Sequence, residues 1–262
     1  MSISLVCTPR ELPTHLKVAA AERAVAINPA NHPPADLIAR ALGPNPPRDR
    51  IAIMVGKRWH TDGVKLGVGF LDNPPADLRA RILLHMNAWA KTANVQFTES
   101  NTDPRVRIAR AGSPPELAGY WSYVGTDILS ISANEPTMNL EAFTMDTPES
   151  EFHRVVRHET GHTLGFPHEH MRLELVKKID EAKAIQFFGA TQGWTPDEVR
   201  AQVLTPIEQS SILGTKVDAH SIMCYQIPGM LTKDGKPIVG GLDIDKRDYA
   251  FAKSVYPKGA PH

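Results

Sequence analysis

Apolar positions along this chain repeat in two rhythms. Alternating or β-branched runs at 51–55, 64–70, 95–98, 106–109 and 128–131 follow the two-residue period of strands. Between them Leu78, Ile82, Met86 and Trp89 recur at helical spacing after Asn73-Pro74-Pro75, which predicts an amphipathic helix packed on the back of a sheet. Thr147-Pro148 opens a second helix, with Glu149 and Glu151 placed favourably against its dipole. That helix is expected to run to Leu164 and stop at Gly165, where glycine accepts the left-handed conformation. Thr195-Pro196-Asp197-Glu198 reads as a capping box, and 243–256, stopped by Pro257, as a C-terminal helix. Eight of the 22 prolines fall in residues 1–50 around one short helical stretch at 13–27, so this part reads as an N-terminal extension. The expected fold is α+β: an extension over 1–50 and one main domain over 51–262, with no internal repeat.

Composition narrows the function more than the fold. The 262 residues suffice for a sizeable core, and 29 basic against 29 acidic side chains give no formal net charge. Nothing in that balance favours a nucleic-acid or anionic-membrane partner, so binding is expected at a local site. No run approaches the ~18 apolar residues that span a bilayer. The N-terminus lacks both a basic start and a long apolar core, so no classical signal peptide is expected. A cytoplasmic location or a non-classical export route fits that start. Cys7 and Cys224 are the only cysteines, which excludes a disulfide-dense scaffold and allows either one bridge or two free thiols.

The chemistry gathers in His158-Glu159-Thr160-Gly161-His162-Thr163-Leu164-Gly165-Phe166-Pro167-His168. Residues four apart share a helix face, so His158 and His162 can aim two imidazoles at one point. A catalytic zinc keeps one of its four positions for water and needs a third protein ligand. A helix ending at Gly165 lets the chain reverse and bring His168 in from outside the axis. Glu159 lies about 100° around the helix from His158 and is free to act as general base on a water that the metal acidifies towards about 7. The same carboxyl can then protonate a leaving amine. His153 and His170 lack a second ligand at suitable spacing and read as structural or solvated. The Asp243-Ile244-Asp245 and Asp62-Gly63 segments offer too few oxygens for calcium.

On these residues the chain resembles the metzincin zinc peptidases, closest to their astacin-like and matrixin-like bacterial branch. Ser221-Ile222-Met223-Cys224-Tyr225 is similar to the clan's Met-turn, and Gly165-Phe166-Pro167-His168-Glu169 follows the astacin pattern. The resemblance implies a two-lobed domain with a twisted mixed sheet, a backing helix and an active-site helix in an upper lobe at about 51–168. A smaller lower lobe at about 169–258 would carry the Met-turn. It implies His158, His162 and His168 on one catalytic Zn2+, Glu159 as base, Met223 as the floor under the metal, and Tyr225 as a fifth ligand or transition-state donor. Glu169 would anchor a mature N-terminus, a role at odds with the preceding extension. The segment 119–132 would form the cleft's upper rim, ending in an antiparallel edge to which an extended protein or peptide substrate adds. Some metzincins are held latent by an N-terminal thiolate, which makes Cys7 a latency-ligand candidate although its surroundings depart from the matrixin sequence. The expected activity is that of a monomeric zinc metalloendopeptidase. A zinc amidohydrolase acting on a non-protein amide and an inactive or latent zinc protein serving as a binding module stay open.

Overall fold

Helix and strand positions follow from where prolines and glycines punctuate the apolar runs. The computed structural model describes residues 7, 10–206 and 217–259. Helix α1 (Thr14–Ile27) buries Ala20, Ala21 and Ala24, and α2 (Ala35–Leu42) follows with no buried residue. Helix α3 (Arg48–Met54) stands in place of the strand expected at 51–55. Pro47 caps the helix start in an extended conformation, and Ala52 and Val55 gain burial against Ala21 and Ala24. Those two influences outweigh the strand propensity of the isoleucines.

Strand β1 (Val64–Phe70) leads into α4 (Ala76–Met86), which is followed by β2 (Val95–Glu99), β3 (Val106–Ala109), β4 (Tyr120–Ser122) and β5 (Met138–Leu140). The five strands form one sheet in the order β2-β1-β3-β5-β4. All neighbours are parallel except β4, which runs antiparallel to β5 and occupies the edge. Leu78, Ile82, Met86 and Trp89 are all buried against the sheet, as their spacing predicts. The expected strand at 128–131 is instead part of a tight turn, Gly125–Ser130. Gly125 bends the chain at φ +50°, in a spot where any side chain would strike the Lys57 carbonyl. The strand that completes the sheet is β5, whose three residues are all buried and therefore show no alternation to read.

The next helix runs as α5 (Glu149–Glu151), a π-helical segment (Phe152–Val156) and α6 (Arg157–Thr163). It stops at Gly165, whose φ is +91°. Beyond it lie α7 (Leu173–Val176), α8 (Glu181–Gln192), α9 (Pro196–Val199) and α10 (Lys246–Val255). The Thr195–Glu198 capping box opens α9, and Asp245 with Asp248 forms a second box that starts α10 slightly later than its sequence suggests. Leu175, Ile179, Ala184, Phe188, Val199 and Val203 build a separate core around Tyr225 and Ile227. Ala252, Val255 and Tyr256 join the core of the sheet. Among the described residues no helix is long and apolar enough to cross a membrane.

Ile82 has 0% of its surface exposed between sheet and active-site helix. Ile82→Ala is expected to lower unfolding free energy by about 2–5 kcal/mol in urea titrations; a loss well under 1 kcal/mol would mean that α4 is not packed as described.

Candidate metal centre

The end of α6 is fixed from several sides before any metal is considered. Trp89 Nε1 donates to the Arg157 carbonyl at 2.9 Å, Trp59 Nε1 to that of Thr163 at 2.8 Å, and the Tyr256 hydroxyl to that of Leu164 at 2.6 Å. The Gly165 N–H then donates to the His162 carbonyl at 2.7 Å, and the chain turns back. This reversal brings His168 to the two histidines of the helix. Its Nε2 lies 3.1 Å from that of His158 and 3.0 Å from that of His162, and the latter two are 3.1 Å apart.

The other ring nitrogens decide the tautomers. His158 Nδ1 sits 2.6 Å from the Ile222 carbonyl, and His162 Nδ1 2.8 Å from the Phe166 carbonyl. A carbonyl only accepts, so both Nδ1 atoms carry the proton and both Nε2 lone pairs point inward. Burial pushes His158 and His168 well below the usual imidazole range and His162 down to about 4. The inward lone pairs of His158 and His162, 3.1 Å apart with the His168 Nε2 equally close, repel one another unless a cation lies between them. The edges of a tetrahedron with zinc–nitrogen bonds of about 2.0–2.1 Å are close to these spacings, so the donor set fits a zinc ion.

The Ile222 carbonyl is held by a residue absent from the motif. Asp248 of α10 accepts from the Ser221 hydroxyl at 2.6 Å and from the Ile222 N–H at 2.9 Å, while Met223 N–H donates to Ser221 Oγ at 3.0 Å. Burial raises the Asp248 carboxyl to about 6. Met223 in this turn packs on Gly161, where any larger residue would collide with its sulfur. Glu169 joins the same assembly: its backbone N–H donates to the Met223 carbonyl at 2.8 Å, and its carboxylate accepts from Asp218 N–H and pairs with Arg172.

Glu159 is 1% exposed, and burial raises its carboxyl to about 8. Its Oε2 accepts from the Cys7 thiol at 3.5 Å, and its buried Oε1 has no hydrogen-bond partner. Cys7 Sγ also lies within 4.8 Å of the imidazole nitrogens of all three histidines. Burial, then the Glu159 charge, pushes the Cys7 thiol well up. The Tyr225 hydroxyl donates to the Cys7 carbonyl, and the Tyr225 ring stacks on His170 at 3.8 Å between centroids. Cys7 pairs with Tyr120 and Arg10 with Tyr123, both in the parallel sense, so these two residues lie along the β4 edge. Cys7 and Cys224 are free, buried thiols. Asp248, Trp59 and the stacking of His170 on Tyr225 carry no local sequence signal, because each partner is distant in the chain.

Known peptidases share this chain's pattern. The model of the astacin peptidase family matches residues 54–239. The zinc metalloproteinase nas-27 of Caenorhabditis elegans is 30% identical over 200 residues, 76% of this chain but only 40% of that protein. This chain therefore spans well under half the length of that curated relative. The structure of myroilysin superposes with a TM-score of 0.71 at 28% identity, covering 78% of this chain and 97% of that one. The hatching enzyme zinc-protease HCE-1 of the medaka fish Oryzias latipes, at 17% identity and a TM-score of 0.51, covers 77% and 93% and shares the fold.

Asp248→Ala is expected to weaken zinc binding about tenfold in chelator competition, because it frees the turn whose carbonyl orients His158. An unchanged zinc affinity in a folded variant would remove Asp248 from the support of the site.

Proposed function

The chain belongs to the astacin family of peptidases, and from that premise we propose that it is a zinc-dependent endopeptidase whose metal is held by His158, His162 and His168. The observation that carries this reading is the convergence of three Nε2 atoms, 3.0–3.1 Å apart, beside a buried carboxyl. Zinc bound there supplies Lewis acidity towards a peptide carbonyl and acidifies a water molecule. Glu159 is the proton carrier: its carboxylate takes the proton from the attacking water and returns it to the leaving amine. Its near-complete burial supports this, because a carboxyl shielded from bulk water exchanges its proton with the reacting groups rather than with solvent.

The Tyr225 phenol is a hydrogen-bond donor to the developing oxyanion. Its hydroxyl already donates to a carbonyl, that of Cys7, and the His170 stack holds its ring in place. Met223 serves as the Met-turn floor. The substrate is a protein or peptide that adds in extended form to the β4 edge. Residues 51–262 form the catalytic domain, with 1–50 as an extension that acts as a pro-segment. Cys7 is the latency ligand: its sulfur is near the three imidazoles, its thiol engages Glu159, and its carbonyl occupies the Tyr225 hydroxyl. Cys7 and Arg10 pair with the edge that substrate needs, so extension and substrate exclude each other.

Glu159→Gln is expected to lower kcat/KM on peptide substrates about 10²–10⁴-fold with zinc still bound. Activity equal to that of the wild type would refute the base assignment, and cleavage confined to small non-peptide amides would refute the substrate class. Cys7→Ala is expected to raise the basal activity of the full chain at least about tenfold; equal rates in the two proteins would remove Cys7 from latency.

A further inference from the structure

A second set of metal-type donors lies where α4 meets the start of the active-site helix, upstream of His158. Among the described residues it is the only other group of three or more ligating side chains within bonding range of one another. His85 of α4, Glu149 of α5 and His153 of the π-helical segment each bring one atom to it. His85 Nε2 lies 3.2 Å from Glu149 Oε1, and His153 Nε2 lies 3.4 Å from the same oxygen. These spacings bracket the edge of a tetrahedron built on metal bonds of about 2.0–2.1 Å. We propose that His85, Glu149 and His153 bind a second divalent ion of the zinc class, which ties the backing helix to the start of the active-site helix.

Two independent features point to a ligand here. His85 is 1% exposed, and its Nε2 is buried without a hydrogen bond: Glu149 Oε1 is near enough but out of line. A buried polar atom left in this way is costly, and a cation bonded to it removes the cost. His153 has the outer partner common to metal-bound imidazoles, a carboxylate on its far nitrogen. Asp243 Oδ2 accepts from His153 Nδ1 at 2.9 Å, which leaves the Nε2 lone pair on the side of Glu149, where Arg157 Nη2 donates to it at 3.2 Å. Burial holds His85 down to about 4, so at neutral pH the ring is a neutral base and no proton must be expelled from an imidazolium.

The charged groups around the cluster set its strength. Glu149 Oε2 pairs with Arg81 at 2.7 Å, and Asp243 Oδ1 with Arg157 at 2.6 Å, so two carboxylates meet two guanidiniums. Arg157 also reaches His153 Nε2 at 3.2 Å through Nη2, and donates to His85 Nδ1 at 3.3 Å through Nε. A metal ion on the two Nε2 atoms moves the His85 proton from Nε2 to Nδ1, so it displaces both guanidinium contacts, Nη2 from His153 and Nε from His85. Arg157 stays anchored through Asp243. The ion therefore exchanges with a cation already in place, and its affinity is below that of the catalytic zinc. His153 lies in the π-helical segment, and its ring meets that of His85 on α4 at 5.2 Å between centroids.

The test is equilibrium dialysis of untagged protein, carrying one zinc in its catalytic site, against micromolar zinc, with bound metal counted by elemental analysis. Wild type is expected to take up a second equivalent and to gain thermal stability as it does so. Glu149→Gln and His153→Gln are each expected to keep the first equivalent while binding the second at least about tenfold more weakly, without the gain in Tm. Retention of the first equivalent separates this result from any failure at the catalytic site. A wild type that stays at one equivalent overturns the proposal, and so does a second equivalent that binds either folded variant as tightly as the wild type.

Discussion

The proposed activity depends on three imidazole nitrogens being held to within 3.1 Å of one another in a buried space. Left to themselves, lone pairs aimed at one point repel, and the protein must supply the constraint that keeps the rings together. It does so with backbone carbonyls on the two Nδ1 atoms, a helix terminus held by Trp59, Trp89 and Tyr256, and a glycine turn that returns the chain. A rigid, pre-formed donor set loses little order when an ion binds, which is how a catalytic metal is held tightly while one position stays open.

The same burial that favours a metal works against every charge around it. Glu159 and Cys7 are both pushed towards their neutral forms, chiefly by desolvation, and a thiol donating to a carboxyl is the arrangement those two shifts describe. A divalent cation reverses the preference, since its field stabilises a nearby thiolate or carboxylate. In the proposed latent state the extension therefore does three things at once. It brings sulfur to the imidazoles, covers the base, and occupies the Tyr225 hydroxyl along the β4 edge. Removal of one short segment frees all three.

Much of this is legible in the sequence because it is local. His158, Glu159 and His162 sit on one helix, and Gly165 marks the reversal that His168 needs, so short-range spacing points to a shared site. The helix Ala76–Met86 is legible for the same reason, through the period of Leu78, Ile82 and Met86. What cannot be read is what depends on distant partners. Asp248 is one polar residue of a C-terminal helix until α10 packs under the Ser221–Cys224 turn. His153 looks solvated until α4 brings His85 to it and Asp243 takes its far nitrogen. Residues 51–55 have strand-like composition, yet Pro47 and the small face of α1 make them helical, and β5 is too short and too buried to alternate.

The most direct test of the central claim is anomalous diffraction at the zinc edge from crystals of the purified protein. A single strong peak about 2.0–2.1 Å from the Nε2 atoms of His158, His162 and His168 is predicted at the catalytic centre. Crystals grown with zinc present that show no peak among these three rings, or a peak that one of the rings does not reach, would contradict it.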